Sequence, residues 1–131
     1  MILIDTDVLI DDLRRVLPAG VVLAKIAQAG IQAVSVFTRL ELLVGTRNLV
    51  DKQQVERLLR EFRVVPVSTE ISELADRLVT VFWLSNGLHF VDAHIAATAT
   101  VHGVPLLSKN QRHFRYIPGL QLLPYPAAPA I

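Results

Sequence analysis

The chain lacks cysteine and any long charge-free run, and each absence excludes a class of protein. Without cysteine, its 131 residues can form neither disulfides nor thiolate zinc sites. No stretch without Asp, Glu, Lys or Arg is longer than that from Ala93 to Ser108, which is too short to cross a membrane. No basic segment precedes the apolar run at the N-terminus, so we expect no signal peptide. We therefore predict a cytoplasmic protein without a membrane partner.

A strong net charge is also absent. The formal charge is +1 and the isoelectric point is about 8.2, so no overall basic field indicates nucleic acid binding, although a local patch would be sufficient. Apolar residues are abundant instead, at 52% with a mean hydropathy of +0.44. A chain this apolar is expected to bury some of its surface against a partner or a second copy of itself.

Strands and helices are predicted to alternate along the chain. Short apolar runs predict strands at 2–4, 31–36, 64–67, 104–108 and 121–123, and helical periodicity predicts helices at 8–15, 20–29, 37–47, 51–62, 69–84 and 90–102. This order predicts an α/β fold, a three-layer α/β/α sandwich with a mainly parallel central sheet. We expect one domain over 1–123 and a proline-rich tail over 124–131. Ligands of such sheets bind at the carboxyl ends of the strands.

Asp5 follows the first predicted strand, in "ILIDTDVL". It can be a helix N-cap, a role that Thr6 could also fill, while Asp7 would favour the first helical turn. It can equally be a ligand at the edge of the sheet, and this stretch alone does not decide between the two. Asp11 and Asp12 are expected at the surface.

Glu41 lies in "FTRLELLVG", where Phe37, Leu40 and Val44 recur at helical spacing. Glu41 belongs to that same face and has no basic residue three or four positions away. A carboxylate among core residues is rare unless it is paired or binds a metal. The alternative is a Glu at the edge of the stripe that reaches solvent or a distant Arg.

Asp92 is the only Asp, Glu, Lys or Arg between Leu78 and Ser108. It is predicted in the first turn of a helix of small residues, "FVDAHIAATATV", whose alanines allow close packing. The alternative role is a carboxylate that the helix dipole favours.

Asp5, Glu41 and Asp92 can converge, because each lies near a strand end or in an early turn of the following helix. Converging carboxylates raise one another's pKa, and a divalent cation removes that cost. Oxygen ligands suit Mg²⁺ or Mn²⁺, which most often serve phosphate chemistry. The chain contains no glycine-rich phosphate loop and no zinc-type histidine spacing.

The segment "KNQRHF" after the fourth long predicted strand adds positive charge to the same edge. Asn110 comes just beyond the strand, accompanied by Lys109, Arg112 and Arg115. Basic residues beside an acidic metal site suit a phosphodiester backbone, with a solvated basic turn as the alternative.

Four segments together resemble the PIN-domain nucleases, specifically the VapC-type toxins of toxin–antitoxin modules. They are "LIDTDVLI", "SVFTRLELLVG", "FVDAHIAATA" and "PLLSKNQRHFRYIPGLQLL", in the right order and over nearly the whole chain. The resemblance implies a PIN-like fold in which Asp5, Glu41 and Asp92 are the catalytic metal ligands. It also places Thr6 beside the first acid, and Ser108 and Asn110 after the last long strand, with Asn110 counted among the catalytic residues.

One position departs from the family pattern. Where the family often has a fourth acid, three residues after the asparagine, this chain has His113. We therefore expect one tightly held ion, with any second ion arriving with substrate. Substrate-binding roles are predicted for Thr6, Ser108, Lys109, Arg112 and His113.

The implied chemistry is hydrolysis of an RNA phosphodiester by a metal-activated water, with Mg²⁺ or Mn²⁺ as cofactor. The implied substrates are tRNA, ribosomal RNA or mRNA. The implied partners are a cognate VapB-like antitoxin, whose C-terminal segment fills a groove and blocks the site, and a second copy of the chain.

Three other classes fit less well. A HAD-type phosphatase shares the strand followed by D-x-D, but it needs Thr or Val where Leu9 stands and late acids, and no acid follows Asp92. A receiver domain needs an Asp ending its third strand, which "VVPVST" does not offer. A PIN-like binding module without catalysis is the non-enzyme alternative. His113 at the fourth-acid position favours this alternative. The presence of Asp5, Glu41 and Asp92 disfavours it, because a buried unpaired carboxylate is costly when nothing uses it.

Overall fold

The computed structural model describes residues 1–125. Of the tail predicted at 124–131, only Pro124 and Tyr125 are described, and the rest of that prediction lies outside the described residues. The strands are β1 (Ile2–Ile4), β2 (Gln32–Ser35), β3 (Arg63–Val65), β4 (Leu106–Leu107) and β5 (Leu122–Leu123). The helices are α1 (Thr6–Leu13), α2 (Ala19–Ala29), α3 (Val36–Val44), α4 (Leu49–Leu59), α5 (Thr69–Asn86), α6 (Phe90–His102) and α7 (Gln111–Phe114).

The strands form one parallel sheet in the order β3-β2-β1-β4-β5. β1 lies at its centre because "ILI" is apolar on both faces and is fully paired with β2 and β4. The carboxyl ends of β1, β2 and β4 therefore share one edge of the sheet. Asp5 follows β1 at this edge, α3 begins there after β2, and Ser108 follows β4.

A separate apolar cluster covers each face of the sheet, which gives the predicted three-layer sandwich. Leu3 points into the cluster formed with α5, α6 and α7, and its neighbours Ile2 and Ile4 point into the cluster formed with α1, α2, α3 and α4. The alanines of α6 are fully buried, as their small size indicates, so α6 lies close against the sheet and α5. No helix within residues 1–125 is long and apolar enough to span a membrane.

Many predicted elements have ends that differ by one to three residues from those in the structure, and three differences matter most. α5 continues through Asn86, where a turn was predicted, and ends at Gly87, whose φ of 67° suits a residue without a side chain. α7 was not predicted. The buried side chains of α3 are Thr38 and Leu42, whereas the predicted core positions Leu40 and Val44 are exposed.

Candidate active site

Asp5 fills the N-cap role that the sequence left open, and it lies at the carboxyl edge of the sheet. It is the N-cap of α1, where its Oδ1 accepts the Thr6 N–H at 2.8 Å. Its Oδ2 accepts the Ser108 hydroxyl at 2.7 Å across the edge between β1 and β4. The residue is only 4% exposed. Burial, with the nearby Asp7 carboxylate, raises the pKa of Asp5 from 3.8 to about 7 despite these hydrogen bonds.

Asp7 holds the loop that follows β4. Its carboxylate accepts the backbone N–H of Lys109 at 3.2 Å and of Asn110 at 3.1 Å, and the Ser108 hydroxyl lies 3.3 Å away. Burial raises its pKa, and the two backbone hydrogen bonds oppose the rise. Nothing in the sequence indicated this contact beyond a second acid after β1, and Asp7 was not among the predicted site residues.

Glu41 reaches the same edge from α3, but not from a buried face. Of the two positions that the sequence left open for Glu41, the structure shows the exposed one: Glu41 and its neighbours Leu40 and Val44 are exposed, with Val44 85% exposed. Its Oε1 accepts the Thr6 hydroxyl at 2.7 Å, and that hydroxyl lies 3.0 Å from the Thr38 hydroxyl. Thr6 therefore fixes the Glu41 carboxylate beside Asp5.

Asp92 is half-buried in the first turn of α6, as predicted. Its Oδ2 lies 3.5 Å from Nδ1 of His113, which comes from α7. Burial raises the pKa of Asp92, the His113 imidazole lowers it, and the Glu41 carboxylate raises it further. The Asp92 carboxylate in turn adds to the rise in the pKa of Asp5 that burial and Asp7 cause, so Asp92 lies within electrostatic reach of both other predicted ligands.

The segment after β4 divides into buried and exposed parts. Ser108 is fully buried on Asp5, whereas the side chains of Asn110, Arg112 and His113 are exposed. The Lys109 ammonium lies 2.9 Å from the Asp11 carboxylate, so its position does not support the predicted phosphate contact. Asp11 is itself buried, which makes its predicted surface position wrong.

The donors at this edge fit a hard divalent cation in their chemistry. Asp5, Glu41 and Asp92 supply carboxylate oxygens only, and hydroxyls from Ser108 and Thr6 hold two of them. Within residues 1–125, no three His, Asp or Glu side chains already stand at metal-ligand spacing. The carboxylates would therefore have to draw closer around an ion, whose positive charge would offset their mutual repulsion.

A groove opens beside the acids, between α1, α3 and α4. Its volume is about 590 Å³, and Glu41 lies on its wall. The remaining lining combines apolar with charged and polar side chains: Ile10, Leu13, Arg14, Leu42, Gly45, Thr46, Arg47, Asp51, Gln54 and Val55.

Comparison with known proteins places this architecture in a family. The model of the PIN domain matches residues 2–120. Ribonuclease VapC10 of Mycobacterium tuberculosis is 38% identical over 115 residues, covering 87% of this chain and 86% of that protein. Ribonuclease VapC19 of the same organism is 37% identical over 126 residues, covering 92% and 98%.

Solved structures agree in fold. A toxin–antitoxin complex from Klebsiella pneumoniae contains a chain with 28% identity and a TM-score of 0.76, covering 95% of this chain and 97% of that one. VapBC2 of Rickettsia felis, solved on a DNA fragment from its promoter, matches at 21% identity and a TM-score of 0.81, covering 94% and 98%. The chain therefore belongs to the PIN-domain family, within the VapC group that its four sequence segments indicated.

Proposed function

We propose that this protein is a metal-dependent endoribonuclease and the toxin of a toxin–antitoxin pair. The observation that carries the proposal is the position of Asp5, Glu41 and Asp92 at the carboxyl edge of one parallel sheet. Besides burial, the charge of Asp92 raises the pKa of Asp5, and the charge of Glu41 raises the pKa of Asp92. The relatives are named ribonucleases, and the similar structures are toxin–antitoxin complexes.

Asp5, Glu41 and Asp92 would hold Mg²⁺ or Mn²⁺. A divalent cation bound there supplies a Lewis acid for the phosphoryl oxygens and lowers the pKa of a bound water. Ser108 and Thr6 orient the carboxylates that they contact. Because the pKa of Asp5 is about 7, ion binding should release a proton near neutral pH.

Exposed side chains on α7 would receive the RNA, in the cytoplasm. Arg112 supplies a cation for a phosphate next to the reacting one, and His113 lies close enough to Asp92 to contact a phosphate held there. Asn110, exposed at the start of α7, would contact the reacting phosphate.

The groove between α1, α3 and α4 would receive the antitoxin. Its apolar floor, with Leu13, Leu42 and Val55, suits an apolar peptide segment, and Glu41 on its wall could pair with an Arg of that peptide. A homodimer would cover the exposed apolar side chains of α5, among them Val81, Trp83 and Leu84.

The test compares the wild type with Asp92→Asn on total tRNA and ribosomal RNA, after removal of any co-purified antitoxin. Each protein is assayed with Mg²⁺, with Mn²⁺ and with EDTA, and the cut ends are mapped. Asp76→Asn is the matched control, because it makes the same change at an exposed site on α5. We expect discrete cuts by the wild type and the control, lost with Asp92→Asn and with EDTA. Cuts that persist in both cases would contradict the proposal.

A binding module without catalysis is the second candidate. It is favoured by His113 at the fourth-acid position and by the wide spacing of the carboxylates among the described residues. Mn²⁺ binding that is equal in the wild type and in Asp92→Asn, together with no cleavage of any RNA, would support it.

A further inference from the structure

Asp11 and Lys109 form an ion pair that the ribonuclease site does not explain. The Lys109 ammonium lies 2.9 Å from Asp11 Oδ2 and 3.1 Å from Oδ1, although 98 positions separate the residues. Asp11 is 8% exposed and lies on α1, whose apolar residues Ile10 and Leu13 pack in the cluster below the sheet. A carboxylate in such a place is costly unless it is paired, so the pair ties Lys109 firmly to α1.

A second contact holds the same loop one helical turn away. Asp7 and Asp11 are four residues apart, so they share a face of α1. Asp7 accepts the backbone N–H groups of Lys109 and Asn110, while Asp11 binds the Lys109 side chain. The Tyr125 hydroxyl also lies 3.4 Å from Asp11, which brings the chain after β5 to the same point.

The held loop carries the hydroxyl that binds the candidate metal ligand. Ser108 immediately precedes Lys109, and its hydroxyl donates to Asp5 at 2.7 Å. Asn110, whose side chain is exposed at the site, immediately follows. A shift of the Lys109 backbone would therefore move both neighbours relative to Asp5.

We propose that the Asp11–Lys109 pair is a positioning clamp that fixes Ser108 and Asn110 against Asp5. Lys109 then acts through its neighbours, and its ammonium is committed to Asp11 instead of an RNA phosphate. The effect on cleavage rests on the proposed function, whereas the effect on the loop does not.

The first test measures amide exchange by NMR in the metal-free protein. Asp11→Asn and Lys109→Met should each speed exchange of the Lys109 and Asn110 amides by about tenfold, while the Leu3 amide, bonded to the Pro105 carbonyl, is unchanged. Lys109→Arg should keep the wild-type rate, because the guanidinium can still pair with the carboxylate. Lys52→Met is the matched control, since Lys52 pairs with Glu56 on the surface of α4. Unchanged exchange at Lys109 and Asn110 in both variants would overturn the clamp.

The second test is a double-mutant cycle on cleavage of an RNA that the wild type cuts. We expect Asp11→Asn, Lys109→Met and the double variant each to lower kcat by about tenfold with little change in KM, because all three break the same pair. The result that would overturn the clamp is a raised KM in Lys109→Met alone, which is the behaviour of a phosphate contact.

The clamp remains testable if a variant does not fold or if the wild type cuts no RNA. If a single variant does not fold, the double variant, which leaves no unpaired buried charge, is measured in its place against Lys109→Arg. If the wild type cuts no RNA, the proposed function fails, and the amide-exchange result still decides whether the clamp exists.

Discussion

Asp5→Asn should stabilise the metal-free protein at neutral and higher pH. The Asp5 carboxyl is 4% exposed, and its pKa rises from 3.8 to about 7 on folding, chiefly through burial. The folded chain therefore keeps a proton between about pH 4 and pH 7 that the unfolded chain has released. Stability then falls as the pH rises through this window, by about 1.4 kcal/mol for each pH step and about 4 kcal/mol in all.

Asn is a close mimic of the neutral acid at this position. Its carbonyl oxygen can accept the Thr6 N–H, and its amide can donate to the Ser108 oxygen, so both contacts of Asp5 are retained. The variant removes the charge whose burial is costly. Its advantage over the wild type should therefore grow from about 1 kcal/mol at pH 4.5 to about 4 kcal/mol at pH 8.

Urea unfolding followed by circular dichroism, in EDTA and at several pH values from 4.5 to 8, measures this difference. Asp76→Asn, at an exposed position of α5, controls for the loss of one negative charge. Equal pH dependence in the wild type and Asp5→Asn would refute the reasoning, because the slope would then come from other groups.

Two further predictions concern the support of the site and of the core. Thr6→Val removes the hydroxyl that donates to Glu41 at 2.7 Å, so the affinity for Mn²⁺ should fall by about tenfold. Thr6→Ser keeps the hydroxyl and should keep the affinity. Equal Mn²⁺ affinities of the two variants in a calorimetric titration would contradict this role of Thr6. Leu3→Ala, at a fully buried position of β1, should lower the free energy of unfolding by about 2–5 kcal/mol. Leu84→Ala, at a 94% exposed position of α5, should change it by less than about 0.5 kcal/mol. Urea unfolding at pH 7 measures both free energies, and similar values would contradict the assigned core.

The layered fold could be predicted because its strands and helices follow from local patterns of apolar residues, which are visible in the sequence. The short run "ILI" is apolar at every position, which fits a strand buried on both faces, and the helices between strands follow from periodicity. α7 could not be predicted in this way, because four residues are too few to show a helical repeat.

The buried face of α3 could not be predicted, because "VFTRLELLV" has apolar residues nearly all round the helix. Packing against the rest of the molecule selected the face with Thr38 and Leu42, and Thr38 meets Thr6 of α1 there. Glu41 therefore reaches the acids from the exposed side of α3, a place that periodicity did not indicate.

Asp11 shows a second limit of local patterns. Its sequence neighbours gave no reason to bury it, since its partner Lys109 lies 98 positions along the chain. Asp5 and Ser108 lie 103 positions apart, and Ser108 was placed at the site only by the family resemblance. Strand ends can be inferred from sequence, whereas a side-chain pair such as Asp11–Lys109 requires the structure.

The central claim is that the carboxylates at the sheet edge bind a metal ion. It is tested most directly by titrating Mn²⁺ into the wild type, Asp92→Asn and Asp76→Asn and measuring the free ion by electron paramagnetic resonance. This measurement requires no knowledge of the RNA. If the carboxylates at the sheet edge form a metal site, the wild type and Asp76→Asn should bind Mn²⁺ equally, and Asp92→Asn should bind at least about tenfold more weakly. Equal binding by the wild type and Asp92→Asn would contradict the claim that this edge holds the metal of a ribonuclease.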